Sequence, residues 1–317
     1  MNRSENPMRT TCLIGATGFV GHHLTLELQR RGLISLRMLE HRKKMAEQAG
    51  VTLIQGDMED PQCLDRLLVP DAVVFNLAYA GVDSALSAAT ALGQACARTP
   101  IRRLVHISTA MVVGDPSQRV IDETSISMAT SDYGITKLKV EEILLESAKG
   151  AFEIAILRPT AIFGPGGRNL ESLARRVKFS SRLNRIVRAM AMGRRHMHAI
   201  DVESLVQAMV FIATADIKAI HPVFFVADDE HPLNNYMDIE SRMAKAMGVL
   251  PLPSWLPYLP SSSFKLILRA LGRPDSDPNR VYSTRKLQAL GFRGHRDLEI
   301  ALDQYARWYG ETSRAES

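Results

Sequence analysis

The chain has little cysteine: three in 317 residues, Cys12, Cys63 and Cys96, widely separated and without paired metal-ligand spacing. A disulfide framework and a zinc site are therefore unsupported, and a reducing cytoplasm fits. The chain also lacks any uninterrupted apolar run of the roughly 18 residues that would cross a bilayer. Met1 to Thr10 is polar and has no apolar centre of signal-peptide length. The expectation is a cytoplasmic protein with no membrane span. No internal repeat or low-complexity tract stands out. A hydrophobic share of 46% with 23% charged is ordinary for a soluble globular chain. The net charge of +5 is too mild to call for a nucleic-acid partner and reads as a solvated basic surface. Its one concentration of positive charge runs from Arg168 to Arg195.

What is present starts at Leu13-Ile14-Gly15-Ala16-Thr17-Gly18-Phe19-Val20-Gly21, at the end of an apolar run and the start of a helix-like one. Gly15 lets a strand reverse tightly, Gly18 lets backbone approach a pyrophosphate, and Gly21 lets the helix pack closely on the strand. Free N–H groups at the helix start would then face a diphosphate. Gly15, Thr17, Gly18, Phe19, Val20 and Gly21 are the candidate cofactor cradle.

Beyond it, apolar runs alternate with helical patterns. Leu33 to Leu39, Val51 to Ile54, Asp71 to Ala78, Ile101 to Ile107, Phe152 to Leu157 and Pro222 to Val226 read as strands. Helices are expected after the glycine loop to Gly32, up to about Arg98, over Asp132 to Ser147 and over Asp201 to Ala213. Continuous apolar strands alternating with helices predict an α/β fold, a Rossmann-type doubly wound parallel sheet. Beyond Arg158-Pro159 the composition turns richer in Pro, Gly and Arg. The predicted division is a dinucleotide domain over 8–160 plus 200–226 and a smaller C-terminal substrate lobe over 161–199 plus 227–317. Pro251 to Pro274, with its apolar Phe264 to Leu268 helix, reads as a wall of that lobe in preference to a membrane-surface element.

Tyr133-Gly134-Ile135-Thr136-Lys137 sets a phenol and an ammonium four residues apart on one helix face. A phenol is a poor base at neutral pH, and a nearby ammonium favours its ionised form. Tyr133 is thereby suited to exchanging the proton of a substrate hydroxyl while a hydride moves to or from a nicotinamide. The hydroxyl pair Ser108-Thr109, about 25 residues earlier, is placed to hydrogen-bond the reacting oxygen.

With these residues the chain resembles the extended short-chain dehydrogenase/reductase family, which includes NAD(P)-dependent epimerases, dehydratases and nucleotide-sugar ketoreductases. The resemblance runs from GATGFVG at Gly15 through GDMED at Gly56, FNLA at Phe75, HISTAMVVG at His106, YGITK at Tyr133 and LRPTAIFGPGG at Leu157. It continues in IDVESL at Ile200 and STRKLQALGFR at Ser283. It implies that Asp57 and Met58 contact the adenine, Leu77 and Ala78 the middle of the cofactor, and Pro159 and Thr160 the nicotinamide side. It makes Thr109 the catalytic hydroxyl, with Ser108 as second choice, Tyr133 the general acid/base, and Lys137 the ligand of the nicotinamide ribose that lowers the Tyr133 pKa. It also implies a homodimer through two long helices, one of them bearing Tyr133.

The chain departs from the family pattern at Met111 and Val113, where Thr and Tyr are usual. Ala110-Met111 replaces the Asp-Glu pair of the sugar dehydratases, which argues against dehydration. Ala161 stands where an Asn is common. Met111 and Ala161 are therefore candidate substrate contacts. Glu40 offers the acid of NAD selection, but His41, Arg42, Lys43 and Lys44 follow at once. That pattern favours NADP over NAD, with Arg42 as the candidate phosphate ligand. Of the eight arginines between Arg168 and Arg195, Arg194 and Arg195 are the candidates for the anionic part of a substrate. His196 and His198 lack further ligands and predict no metal site. The expected substrate is a nucleotide-linked sugar, reduced or epimerised at C4. A lipophilic ketone or hydroxysteroid is the alternative, and a non-catalytic NAD(P)-binding scaffold or redox sensor is the second alternative.

Overall fold

The computed structural model describes residues 10–32, 35–79, 81–113, 118–217, 221–260, 262–263, 266, 279–294 and 296–315. The chain opens on β1 (Thr10–Ile14), α1 (Phe19–Arg30), β2 (Ser35–Glu40) and β3 (Val51–Gln55). It continues through α2 (Pro61–Leu67), β4 (Val73–Asn76), α3 (Gly81–Arg98), β5 (Arg103–Ile107), a two-residue strand β6 (Val120–Ile121), α4 (Asp132–Ala148) and β7 (Glu153–Pro159). After β8 (Ala161–Phe163) come α5 (Glu171–Phe179), α6 (Arg182–Met192), β9 (Ala199–Asp201), α7 (Val202–Thr214) and β10 (Val223–Val226). The chain closes with α8 (Tyr236–Ala246), β11 (Val281–Tyr282), a short helix Arg285–Ala289 and a long one, Leu298–Ala315.

Seven strands form one sheet in the order β10-β7-β5-β4-β1-β2-β3. Every pairing in it is parallel. The expected α/β doubly wound, Rossmann-type sheet is what the chain adopts. Its two faces are covered because successive side chains of a strand point to opposite sides. Leu13, Phe75, Val105, Leu157 and Phe224 join Leu24 and Leu28 of α1 and Met209 and Ile212 of α7 in one core. Cys12, Ile14, Val74, Leu104 and Ile156 join Leu64 of α2, Leu92 of α3 and Leu144 of α4 in another.

A third core lies in the region after β7. Leu173 and Val177 of α5 pack there with Ile239 and Met243 of α8 and Leu302 and Tyr305 of the last helix. Two small parallel pairs, β8–β9 and β6–β11, complete the described strands. Leu287 and Phe292 return to the first core.

Several boundaries differ from the sequence expectation. The fourth strand is shorter than Asp71 to Ala78, because Asp71 turns with φ 61°. The fifth begins at Arg103, whose guanidinium reaches across to the carbonyl oxygens of Ile212 and Ala215. Leu33 and Ile34, and all of Phe264 to Leu268 except Leu266, lie outside the described residues.

Candidate active site

The carboxyl ends of five strands are level. Ile14 lies opposite Asn76, Asn76 opposite His106, Ile107 opposite Leu157, and Pro159 opposite Val226. Gly15, Leu77, Ser108 and Thr160 therefore leave the sheet along one edge. Between β1 and β4 the strand order reverses and the following helices, α1 and α3, take opposite faces, which opens a crevice at the strand ends.

The glycine loop is built for close approach. Gly15 has φ 88°, and a Cβ there would lie 2.8 Å from the Ala78 nitrogen. A Cβ on Gly21 would collide with the Gly15 carbonyl oxygen. The N-cap of α1 is Gly18, which has no side chain to satisfy the first N–H groups of the helix. Phe19 and Val20 are partly buried, and the Phe19 ring lies against Gly164, where a Cβ would be 3.5 Å from its Cζ. The loop after β8 thus meets the glycine loop, and the His23 Nε2 to Pro165 oxygen distance of 3.1 Å adds to that contact. Thr17 is exposed and lines a cavity of about 230 Å³ with Ala16, His22, Lys43 and Lys44.

At the ends of β2 and β3, Glu40 accepts hydrogen bonds from the Met45 N–H (2.7 Å) and the Lys44 ammonium (2.9 Å). The Met45 N–H, then Lys44, lowers its pKa. Arg42 is exposed. Asp57 accepts the Glu59 N–H and lies 3.1 Å from His41 Nε2. Met58 is buried and lines a small cavity with Ala78, Tyr79, His106 and Lys137.

Tyr133 and Lys137 stand on the first turns of α4, capped by the Ser131 hydroxyl, which accepts the Gly134 N–H at 3.1 Å. The Thr109 hydroxyl lies near the Tyr133 phenol, and the Tyr133 ring meets that of Tyr79 edge-on at 5.2 Å. Burial, and next Tyr79, pushes the Tyr133 pKa up, and the nearby Thr109 hydroxyl offsets this in part. The shift runs opposite to the one the resemblance implies for a Lys neighbour. Lys137 instead donates to the Ile107 carbonyl at 3.0 Å and stands 5.6 Å over the Tyr79 ring. Burial depresses its pKa to about 8 against the pull of Glu141. Thr109 also accepts the Met111 N–H at 3.3 Å, and Met111 itself is exposed. The buried hydroxyls of Ser108 and Thr160 have no partner among the described residues.

The two arginines singled out earlier differ in setting. Arg194 is exposed and 2.9 Å from Asp238. Arg195 is buried and donates to the carbonyl oxygens of Ala191, Met192 and Leu259. Ala161 donates its N–H to the His198 carbonyl at 2.7 Å, and His198 Nδ1 lies 2.6 Å from Asp229.

Two features escaped the sequence reading. His106 is buried between Asn76, whose amide donates to its Nδ1 at 3.2 Å, and the neighbourhood of Lys137. Burial, then the Lys137 charge, holds it well below the ordinary imidazole range, so it is neutral. Arg158 and Glu141 form a buried pair beneath the site. Their charges were visible in the sequence, but nothing there joined them.

The crevice, the glycine loop and the Tyr-Lys face belong to a Rossmann-type fold that gathers a phenol, an ammonium and hydroxyls at the strand ends. A sequence model of the NAD dependent epimerase/dehydratase family matches residues 11–226, and the chain belongs to that family. It is 31% identical over 175 residues to UDP-glucose 4-epimerase of Azospirillum brasilense, covering 49% of this chain and 50% of that protein. It is 25% identical over 193 residues to short-chain dehydrogenase/reductase family 42E member 1 of Xenopus laevis, covering 52% of this chain and 49% of that one. The matched region spans about half the length of these curated relatives.

Among solved structures, UDP-glucuronic acid 4-epimerase from Bacillus cereus, in complex with UDP-glucuronic acid and NAD, superposes with TM-score 0.71 at 19% identity. The match covers 96% of this chain and 99% of that one. The Bordetella bronchiseptica enzyme WbmG, in complex with NAD and UDP, does so with TM-score 0.71 at 17% identity, covering 96% of each chain. These two likenesses show the fold. No helix among the described residues is long and apolar enough to cross a membrane.

Proposed function

We propose that the protein is an NAD(P)-dependent enzyme acting at a carbonyl/carbinol carbon of a nucleotide-linked sugar, as a 4-epimerase or 4-ketoreductase. The observation that carries this reading is the gathering of the Tyr133 phenol, the Thr109 hydroxyl and the Lys137 ammonium at the strand ends, with a helix start that no side chain caps on the same edge of the sheet. Membership of the epimerase/dehydratase family and the names of the curated relatives support the substrate class.

The cradle fits a dinucleotide: Gly15, Thr17, Gly18, Phe19, Val20 and Gly21 would take the diphosphate on backbone N–H groups. Asp57 and Met58 would meet the adenine, Leu77 and Ala78 the middle, and Pro159 and Thr160 the nicotinamide side, where the Thr160 hydroxyl lacks a partner among the described residues. The bound cofactor supplies the hydride acceptor and donor. Tyr133 gives or takes the proton of the substrate hydroxyl at its phenolic oxygen. Thr109 orients that oxygen, and Ser108 lies next to it as a further donor. Lys137, aimed by the Ile107 carbonyl, binds the nicotinamide ribose. Met111 and Ala161 would border the sugar, and Arg194 would meet the substrate diphosphate by leaving Asp238.

Of the two cofactors, NADP is favoured. Both Glu40 oxygens are engaged by the following loop, and Lys43 and Lys44 line the cavity beside Ala16 and Thr17, near Arg42. The three buried free thiols suit the reducing cytoplasm. The protein pairs as a homodimer through α3 and α4.

The test is a panel of nucleotide sugars and their 4-keto forms, with NADPH and NADH consumption followed and epimers separated. Turnover of at least one member is expected, and it should vanish in Tyr133→Phe. Activity with a hydrophobic ketone and with no nucleotide sugar would overturn the substrate class.

A further inference from the structure

Helix α6 is built inside out. It buries Arg185, which pairs with Glu240 at 2.6 Å and donates to the Leu250 carbonyl, and it buries Ala189. Its larger aliphatic side chains face away: Leu183 is 68% exposed, Val187 58% and Met190 38%. Their spacing of four and three residues puts them in one stripe, on the side of the helix opposite Arg185. A surface helix ordinarily turns such a stripe toward the core.

The stripe has neighbours of the same kind. Phe179, at the end of α5, is 64% exposed. The 252–259 segment runs beside α6. Leu252 and Ser254 share a cavity wall with Ala189, Leu259 donates its N–H to the Met190 carbonyl at 2.8 Å, and Tyr258 packs at Gly193. Between those anchors Trp255 is 77% exposed. Single exposed apolar residues need no explanation, but a helical stripe of them, with an exposed Phe and an exposed Trp on the adjoining segments, does.

Charge narrows the partner. From Ser172 to Ile200 there is no acidic residue. Arg182 and Arg188 flank the stripe on its two sides, both are exposed, and neither forms an ion pair among the described residues. Arg175, exposed on α5, adds to the same basic surround. An apolar stripe with an aromatic anchor and flanking arginines is the composition of a helix that lies in the headgroup layer of an anionic bilayer. A protein partner would be expected to meet these arginines with carboxylates, whereas a membrane meets them with phosphate and leaves the stripe in the acyl boundary.

We propose that α6 and the Trp255 loop form a docking surface for an anionic phospholipid membrane, holding the enzyme at the bilayer surface without spanning it. For Pro251 to Pro274 the sequence favours a substrate-lobe wall over a membrane-surface element; the proposal takes the second reading at Trp255. The proposal stands apart from the catalytic reading, since none of its residues belongs to the candidate site.

The full chain is tested by flotation with vesicles of phosphatidylcholine alone or mixed with phosphatidylglycerol. Binding to the mixed vesicles only is expected, and high salt should weaken it. Leu183→Ser with Val187→Ser and Trp255→Ser, and separately Arg182→Gln with Arg188→Gln, should each reduce binding by about tenfold or more. All these side chains are exposed, so melting temperature and cofactor binding should stay at wild-type values. Failure of the wild type to float, or equal flotation of the variants, overturns the proposal. Wild-type chain that ignores vesicles and loses self-association in the apolar variant assigns the face to a second copy instead.

Discussion

Arg158 on β7 and Glu141 on α4 form a two-point ion pair beneath the site, 2.6 Å at its shortest, with side chains only 7% and 2% exposed. Glu141 follows Lys137 by one helical turn and Tyr133 by two, so the pair fixes the face of α4 that carries these two residues. It also ties that face to the strand leading into Pro159 and Thr160.

Removing one partner should be costly, because the other charge stays buried. Glu141→Gln is expected to lower stability by about 3–5 kcal/mol in urea denaturation, and Glu141→Leu with Arg158→Met to recover most of it. A loss below about 1 kcal/mol in the single variant would show that the pair does not hold α4 in place.

Tyr133→Phe keeps the ring against Tyr79 and removes only the hydroxyl. We expect kcat to drop by about 10²-fold or more, with dinucleotide binding by fluorescence titration unchanged. Thr109→Val should cost less, since Ser108 remains beside it. Wild-type turnover in Tyr133→Phe would end the acid/base assignment.

Cofactor choice can be read from titrations of NADPH and NADH. Arg42→Ala, and Lys43→Ala with Lys44→Ala, should each weaken NADPH about tenfold and leave NADH unchanged. Equal NADPH affinity in Arg42→Ala and wild type would remove Arg42 from the site.

Asp228 makes a separate prediction about pH. Burial, then the carboxylates of Asp229, Asp201 and Asp297, raises its pKa to about 7. The folded state therefore binds this proton more tightly than the unfolded state does. The associated stability is complete below about pH 4 and is lost as the pH rises toward 7. Asp228→Asn should flatten that limb by about 1–2 kcal/mol, a figure reduced for the group's partial exposure. Parallel stability curves for wild type and variant would refute it.

The sheet was legible because its strands are continuous apolar runs bounded by glycine, proline and charge, from Val73–Val74–Phe75 to Val223–Phe224–Phe225–Val226. The tight glycine loop was legible because close backbone approach leaves glycine as the residue that fits at Gly15 and Gly21. Tyr133 and Lys137 were legible because helical spacing alone puts them on one face. The region after Thr160 was not, since α6 turns its apolar stripe outward and buries Arg185.

Local spacing thus determined the Rossmann-type sheet, the tight glycine loop and the Tyr-Lys face, each being a matter of neighbours along the chain. Tertiary structure alone decided which charges are spent on architecture. Arg158 meets Glu141 across 17 residues, Arg185 meets Glu240 across 55, and Lys137 points at Ile107 because the folded backbone supplies an acceptor there. Those choices depend on desolvation and distance in the packed interior, and neither is written in the order of the residues.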